Sequence, residues 1–224
     1  MRKRWAWLFV GAFLLVMGGS MLKLLLWRPD PLNLVTKGLE HLNAAASFRY
    51  TMIQHQNVAG NDRLLTQIQG EKDGENVRIT GTLIGSEIEM IKINGVLYHK
   101  DPFSQRWLQF NETIPMQEVF LAELNPLASL QFKELGEVEL QGQERVNGEK
   151  AYVCALKPSV QNQIMEEFWT DFAYTLYLKK SGGSLLKAVI TAKSKATSEP
   201  MSMTLEFADM GKRIQIQAPV VEES

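Results

Sequence analysis

Ser47-Phe48-Arg49-Tyr50-Thr51-Met52 puts an apolar side chain at every second position, and this alternation decides the fold class. A period of two marks a strand with one buried face. Just upstream the period differs. Leu32, Val35, Leu39, Leu42 and Ala46 recur three and four apart, which predicts an amphipathic helix with Asp30 as cap and Pro31 in its first position. Downstream, alternation returns at Leu64, Thr66 and Ile68, and again at Val77, Ile79, Gly81 and Leu83. Ile88 and Met90 are followed by Ile91 and Ile93, a change of phase that predicts a bulge or bend. Asn94-Gly95 and Asn147-Gly148 predict two-residue hairpin turns.

The rest of the chain continues the pattern with interruptions. Asp101-Pro102 opens a turn before a short strand at Trp107-Leu108-Gln109-Phe110. Glu118 to Leu124 and Pro126 to Phe132 predict two short helices, and Val160, Ile164 and Phe168 predict a third. Strand signals run from Val138 to Leu156 around the second hairpin turn, then over 172–180, 185–195 and 201–207, with a short last one from Ile214 to Gln217. The expected class is mostly β with α (α+β): a curved antiparallel sheet, because so many hairpin-linked strands curl rather than lie flat.

Arg2-Lys3-Arg4 precedes an apolar run from Trp5 to Trp27 interrupted by Lys23. At 1.5 Å per residue such a run spans roughly 30 Å, the thickness of a bilayer core, and its tryptophans sit near the ends. The expectation is a transmembrane helix with a cytoplasmic N-terminus and a translocated domain. A cleaved signal peptide at Gly18-Gly19-Ser20 is the rival; it would leave the apolar Leu24 to Trp27 on the mature chain. The expected organisation is a basic tail over 1–4, an anchor over 5–27, a linker over 28–31, a β domain over 32–219 and a loose tail over 220–224. The expected location is the cell membrane, single-pass, with the domain outside the cytoplasm.

Charge and composition exclude several functions. Residues 1–28 hold five of the 24 basic residues and no acid, so the remainder carries 19 basic against 25 acidic side chains. That balance leaves no electrostatic footprint for nucleic acid. Cys154 is the single cysteine, which rules out an internal disulfide and a multi-cysteine metal site. His41, His55 and His99 are scattered, no nucleophile elbow or phosphate loop occurs, and Glu166-Glu167 reads as a solvated helix face. No catalytic residue, metal or cofactor is expected. The protein reads as a non-enzyme.

Phe48-Arg49-Tyr50, Ile93-Asn94-Gly95-Val96-Leu97-Tyr98 before Trp107-Leu108, Val146-Asn147-Gly148, Leu176 to Lys187 around Gly182-Gly183, and Phe207 to Arg213 into Ala218-Pro219 together resemble the LolA-like superfamily. That superfamily takes in periplasmic lipoprotein carriers, LppX/LprG-type lipid-binding proteins and RseB-type envelope sensors. The resemblance implies an incomplete β-barrel wrapped about helices, with an apolar cavity for acyl chains. It implies a lipid, a lipoprotein acyl chain or another apolar ligand, or alternatively a regulatory role on a membrane-protein partner. Flexible methionines and aromatics suit such a cavity. The candidate lining residues are Leu39, Leu42, Trp107, Phe168, Trp169, Phe172, Met201 and Met203. Each taken singly serves equally well as core of a β domain.

Overall fold

Helix α1, Pro31–Ala44, begins at its proline, the one residue whose missing N–H is not needed in a first helical turn. The computed structural model describes residues 29–111 and 124–221. Val35, Gly38 and Leu42 form the buried stripe of α1. At Gly38 the helix lies close against the sheet: a Cβ there would run into the Leu178 side chain.

Six strands follow in a meander: β1 (Ser47–Val58), β2 (Asn61–Asp73), β3 (Asn76–Leu83), β4 (Ser86–Ile93), β5 (Val96–Lys100) and β6 (Trp107–Phe110). After them come β7 (Phe132–Glu134), β8 (Val138–Val146), β9 (Glu149–Leu156), β10 (Ser159–Val160), helix α2 (Gln163–Phe168), β11 (Trp169–Lys179), β12 (Leu185–Ser194) and β13 (Pro200–Ala208). Eleven strands make one antiparallel sheet in the order β6-β5-β4-β3-β2-β1-β13-β12-β11-β9-β8, and β10 with β7 makes a small separate ribbon. The turns at Asn94-Gly95 and Asn147-Gly148 have positive φ at both residues, 51° and 82°, then 50° and 83°, the geometry a two-residue hairpin requires.

Register defines the inner face. Ile88, Gly81, Ile68, Met52, Leu205, Ala188, Leu176, Cys154 and Leu140 pair successively in one row across nine strands. Phe48, Tyr50, Ile190, Tyr174 and Phe207 belong to the same core, which Val35 and Leu42 of α1 enter from above. The outer face has a second, smaller cluster. Ile214 and Ile216, beyond β13, cover Ile91, with Ile93, Tyr98 and Trp107 packed beside them. This tail is clasped at its start: Gly211 N–H donates to the Ser47 carbonyl at 2.8 Å, and the Ser47 hydroxyl donates to the Lys212 carbonyl at 2.6 Å. Arg49 bridges Glu71 at 2.7 Å and Asp209 at 2.6 Å beneath it. Hydrogen bonds from Lys212, and then from Arg49, hold the Asp209 carboxyl below its ordinary range.

Several expectations need correction. The α+β class with a curved antiparallel sheet holds, but the transmembrane helix does not. Among the described residues no helix is long and apolar enough to cross a membrane. The longest, α1, has 14 residues, about 21 Å of rise, and carries Lys37, Glu40 and His41. Residues 5–27, where the span was expected, lie outside the described residues. The single-pass anchor, the cytoplasmic N-terminus and the cell-membrane location that rested on it are withdrawn. The phase change at Met90-Ile91 is not a bulge, since β4 keeps register with both neighbours. Both residues are buried because both faces are covered there: Ile91 lies beneath Ile214 and Ile216, whereas Met90 points to the inner face.

The helix expected over 126–132 shrinks to a 3-10 turn, Ala128–Leu130, before β7 begins. Most of the one expected over 118–124 lies outside the described residues. The run from Val160 to Phe168 is split, with Val160 in β10 and only Gln163–Phe168 helical behind an Asn162 cap. Ile214 to Gln217 forms no strand; its alternation serves burial without a ladder.

Candidate functional site

The inner face of the sheet is covered by α1 and by residues 124–135, and the fastening of that second segment is unusual. Its backbone is held by two phenols from the sheet floor. Tyr50 Oη donates to the Leu124 carbonyl at 2.9 Å, and Tyr174 Oη donates to the Ser129 carbonyl at 3.0 Å. Both phenols are buried, and burial alone raises their pKa values, so both remain protonated donors. Leu124 and Leu130 drop into the core beside them, and Phe132 meets the Tyr174 ring edge-on at 5.0 Å. Gly70 makes this possible. Tyr50 lies across it, and any Cβ on residue 70 would overlap the Tyr50 ring.

Between α1 and this segment runs an open seam of about 320 Å³, lined by Thr36, Leu39, Glu40 and Asn43 on one side and by Leu130, Phe132 and Leu135 on the other. Leu39 is half-buried at its lip, whereas Leu42, one turn on, is fully in the core. The sequence-based candidates therefore separate. Met201 and Met203 are core floor and Leu42 enters the same core from α1 above, with Leu39, Trp169 and Phe172 packed against it. Trp107 is on the other face of the sheet, against Ile91 and the tail. Phe168 is exposed. Sequence reasoning missed Tyr50 and Tyr174. The available signal was a phenol, rather than phenylalanine or leucine, at an inward-facing strand position, since a buried hydroxyl demands a partner.

Replacing either phenol tests the fastening. Tyr50→Phe and Tyr174→Phe each leave a buried carbonyl unpaired, so each should lower stability by about 1–3 kcal/mol in urea unfolding. Both should also speed hydrogen exchange within 124–130. Unchanged exchange there would show that the hydroxyls do not hold the segment.

The remaining polar groups assemble nothing catalytic among the described residues, where no group of three metal-ligating side chains gathers. His55 meets only Asp62, at 2.8 Å on the surface. Glu166 is held by Lys133 at 2.6 Å. Cys154 is wholly buried, and burial pushes its thiol up to about 11. It should react with a thiol reagent only as fast as the domain unfolds; rapid stoichiometric labelling of the native chain would contradict this.

The described fold has solved counterparts. The lipoprotein LppX of Mycobacterium tuberculosis superposes with a TM-score of 0.59, covering 84% of this chain and 100% of its own at 12% identity. This chain has the LppX fold. LprF from Mycobacterium bovis gives the same TM-score of 0.59 at 12% identity, over 86% of this chain and 99% of its own. A LolA superfamily protein from Nitrosomonas europaea matches at a TM-score of 0.36 and 14% identity, covering 84% of this chain and 96% of that one, a likeness too loose to carry an argument. No family model and no curated protein matches the sequence.

Proposed function

We propose that this protein is a non-enzymatic extracytoplasmic binding protein that holds a lipid, a lipoprotein acyl chain or a similarly shaped apolar ligand between the inner sheet face and the 124–135 cover. The carrying observation is the fastening. A broad apolar floor is closed by a largely irregular segment that depends on two phenol hydrogen bonds and a few side chains. Each such bond is worth about 1 kcal/mol net, and lifting Leu124 and Leu130 costs about 2 kcal/mol each. Undoing those four contacts costs roughly 6 kcal/mol, with Phe132 and its neighbours adding to it, and burying an acyl chain of a dozen methylenes returns on the order of 10 kcal/mol before ordering costs. The seam along Leu39 is the entry this reading assigns.

Titration of the full-length chain with a fluorescent fatty acid, with native mass spectrometry for stoichiometry, tests the proposal. Saturable binding of one probe per chain is expected. Absence of saturable binding, with no co-purified lipid, would sink it. An empty chain that cross-links to one dominant partner in cells would favour the regulatory alternative.

A further inference from the structure

The exposed apolar side chains are not scattered. Among the described residues eight large ones are exposed, and five of them, Leu64, Ile84, Phe103, Ile164 and Phe168, stand at one end of the sheet. Register places them there. The β1–β2 turn follows the Val58–Asn61 pair, the β3–β4 turn closes on Leu83–Ser86, and the β5–β6 loop closes on Lys100–Trp107. Thr66 pairs with Leu83, which brings the first two turns to the same end. Lys195, in the β12–β13 turn, donates its N–H to the Phe168 carbonyl at 3.0 Å, and Gly60 N–H reaches Glu199 in that turn at 3.4 Å. The opposite end, with its turns at 74–75, 94–95 and 147–148, has no large apolar residue on those turns.

The side chains are presented, not merely left over. Phe103 is 95% exposed, in a loop whose Asp101 carboxylate accepts the N–H groups of both Phe103 and Ser104 at 2.8 Å. Ile84 is 74% exposed and sits at φ 49°, a left-handed position that a β-branched residue occupies only under strain and that Gly or Asn would take freely. An exposed tip needs neither the strain nor the apolar chain for folding.

We propose that this rim docks on a phospholipid bilayer surface, with Phe103, Ile84, Leu64 and Phe168 inserted at the headgroup boundary. The layout favours a lipid surface over a protein. Single apolar side chains sit on separate elements: Ile84 on a turn, Phe103 in a loop, Leu64 near the start of β2 and Phe168 at the end of α2. They spread across nine strands, roughly 40 Å of contour at the usual strand spacing. A protein partner would need a matching pocket for each, whereas a bilayer interface accepts all of them without shape complementarity. Exposed basic side chains stand beside two of the tips to meet phosphates: Arg63 next to Leu64 and Lys195 against Phe168. Of the acids at this end, Glu166 pairs with Lys133 and Asp171 with Lys193, while Asp62 meets His55, and Glu199 and Asp101 meet backbone N–H groups. Glu87 and Glu167 are unpaired among the described residues, so the apolar tips rather than net charge carry the docking. The docking surface is independent of the ligand reading and stands whether or not the inner face binds a chain.

Single-cysteine labelling of the full-length chain tests the rim directly, because wholly buried Cys154 stays unlabelled in the folded protein. A polarity-sensitive fluorophore at Phe103→Cys, Ile84→Cys or, as control on the opposite end, Glu75→Cys is mixed with phosphatidylcholine–phosphatidylglycerol vesicles whose acyl chains are brominated. Quenching of about two-fold or more at 103 and 84, with none at 75, is expected. In the Phe103→Ser/Ile84→Ser double variant, a label at Phe168→Cys should lose its quenching while the melting temperature stays put. Labels at 103 and 84 that remain as unquenched as 75 would overturn the proposal. So would equal quenching at all three, which is unspecific adsorption, or shielding of the rim labels only by a second copy at high protein concentration.

Discussion

Leu42→Asp should leave no folded domain, whereas Leu39→Asp, one turn earlier on the same helix, should fold and lose apolar-probe binding. Leu42 is 1% exposed in the main core, and no basic group belongs to that cluster. An unpaired carboxylate there costs several kcal/mol, comparable with the whole stability of an ordinary domain. Leu39 lies at the lip of the seam with water on one side, so a carboxylate at that position stays hydrated and costs far less. Its charge would, however, face the apolar chain as it enters, and the probe dissociation constant should rise about ten-fold or more, a difference of roughly 1.4 kcal/mol. Thermal melting alongside probe titration separates the outcomes. A Leu39→Asp variant that binds normally would remove the seam from the account, and a cooperatively melting Leu42→Asp variant would remove α1 from the core.

The second large effect is expected at Gly70. Gly70→Leu forces the Tyr50 ring out of its place, because the ring now occupies the space the new side chain needs. Overpacking costs about 1–3 kcal/mol, and loss of the Tyr50 bond to the Leu124 carbonyl adds about 1 kcal/mol or more. The variant should therefore be less stable by roughly 2–4 kcal/mol, with residues 124–130 released first. Coupling gives the sharper check. In a Tyr50→Ala background the site is already empty, so Gly70→Leu should cost much less than it does alone. Additive penalties would show that the two residues do not share that space.

What the sequence revealed follows from the range of the interactions. Helix α1, strand β1 and both Asn-Gly turns are set by neighbours within a few residues, and each was legible from period or turn chemistry alone. The turn and strand patterns also carried the curved antiparallel sheet, a fold that LppX shares at 12% identity. The 124–135 cover was not legible. Its fasteners lie 74 and 45 residues away along the chain, and a polar-spaced stretch such as Asn125 to Leu130 mimics a helix until those phenols are seen. The outer cluster misled in two ways. It turned the double burial of Met90 and Ile91 into an apparent bulge, and it drew Trp107 into an expected cavity that it does not face. Phe168 failed for the opposite reason, since apolar spacing predicts burial and this residue is presented at the rim.

Lodging of an apolar chain between the inner face and the cover, with entry at Leu39, is what remains to be tested. The most direct measurement is photo-crosslinking of a diazirine-bearing fatty acid to the full-length chain, with adducts mapped by peptide mass spectrometry. Adducts should fall on Leu39, Leu130, Phe132 and the floor around Tyr50 and Tyr174, and should fade when unlabelled fatty acid is added. Adducts confined to the Ile91–Trp107 face, or distributed over the surface without competition, would contradict it.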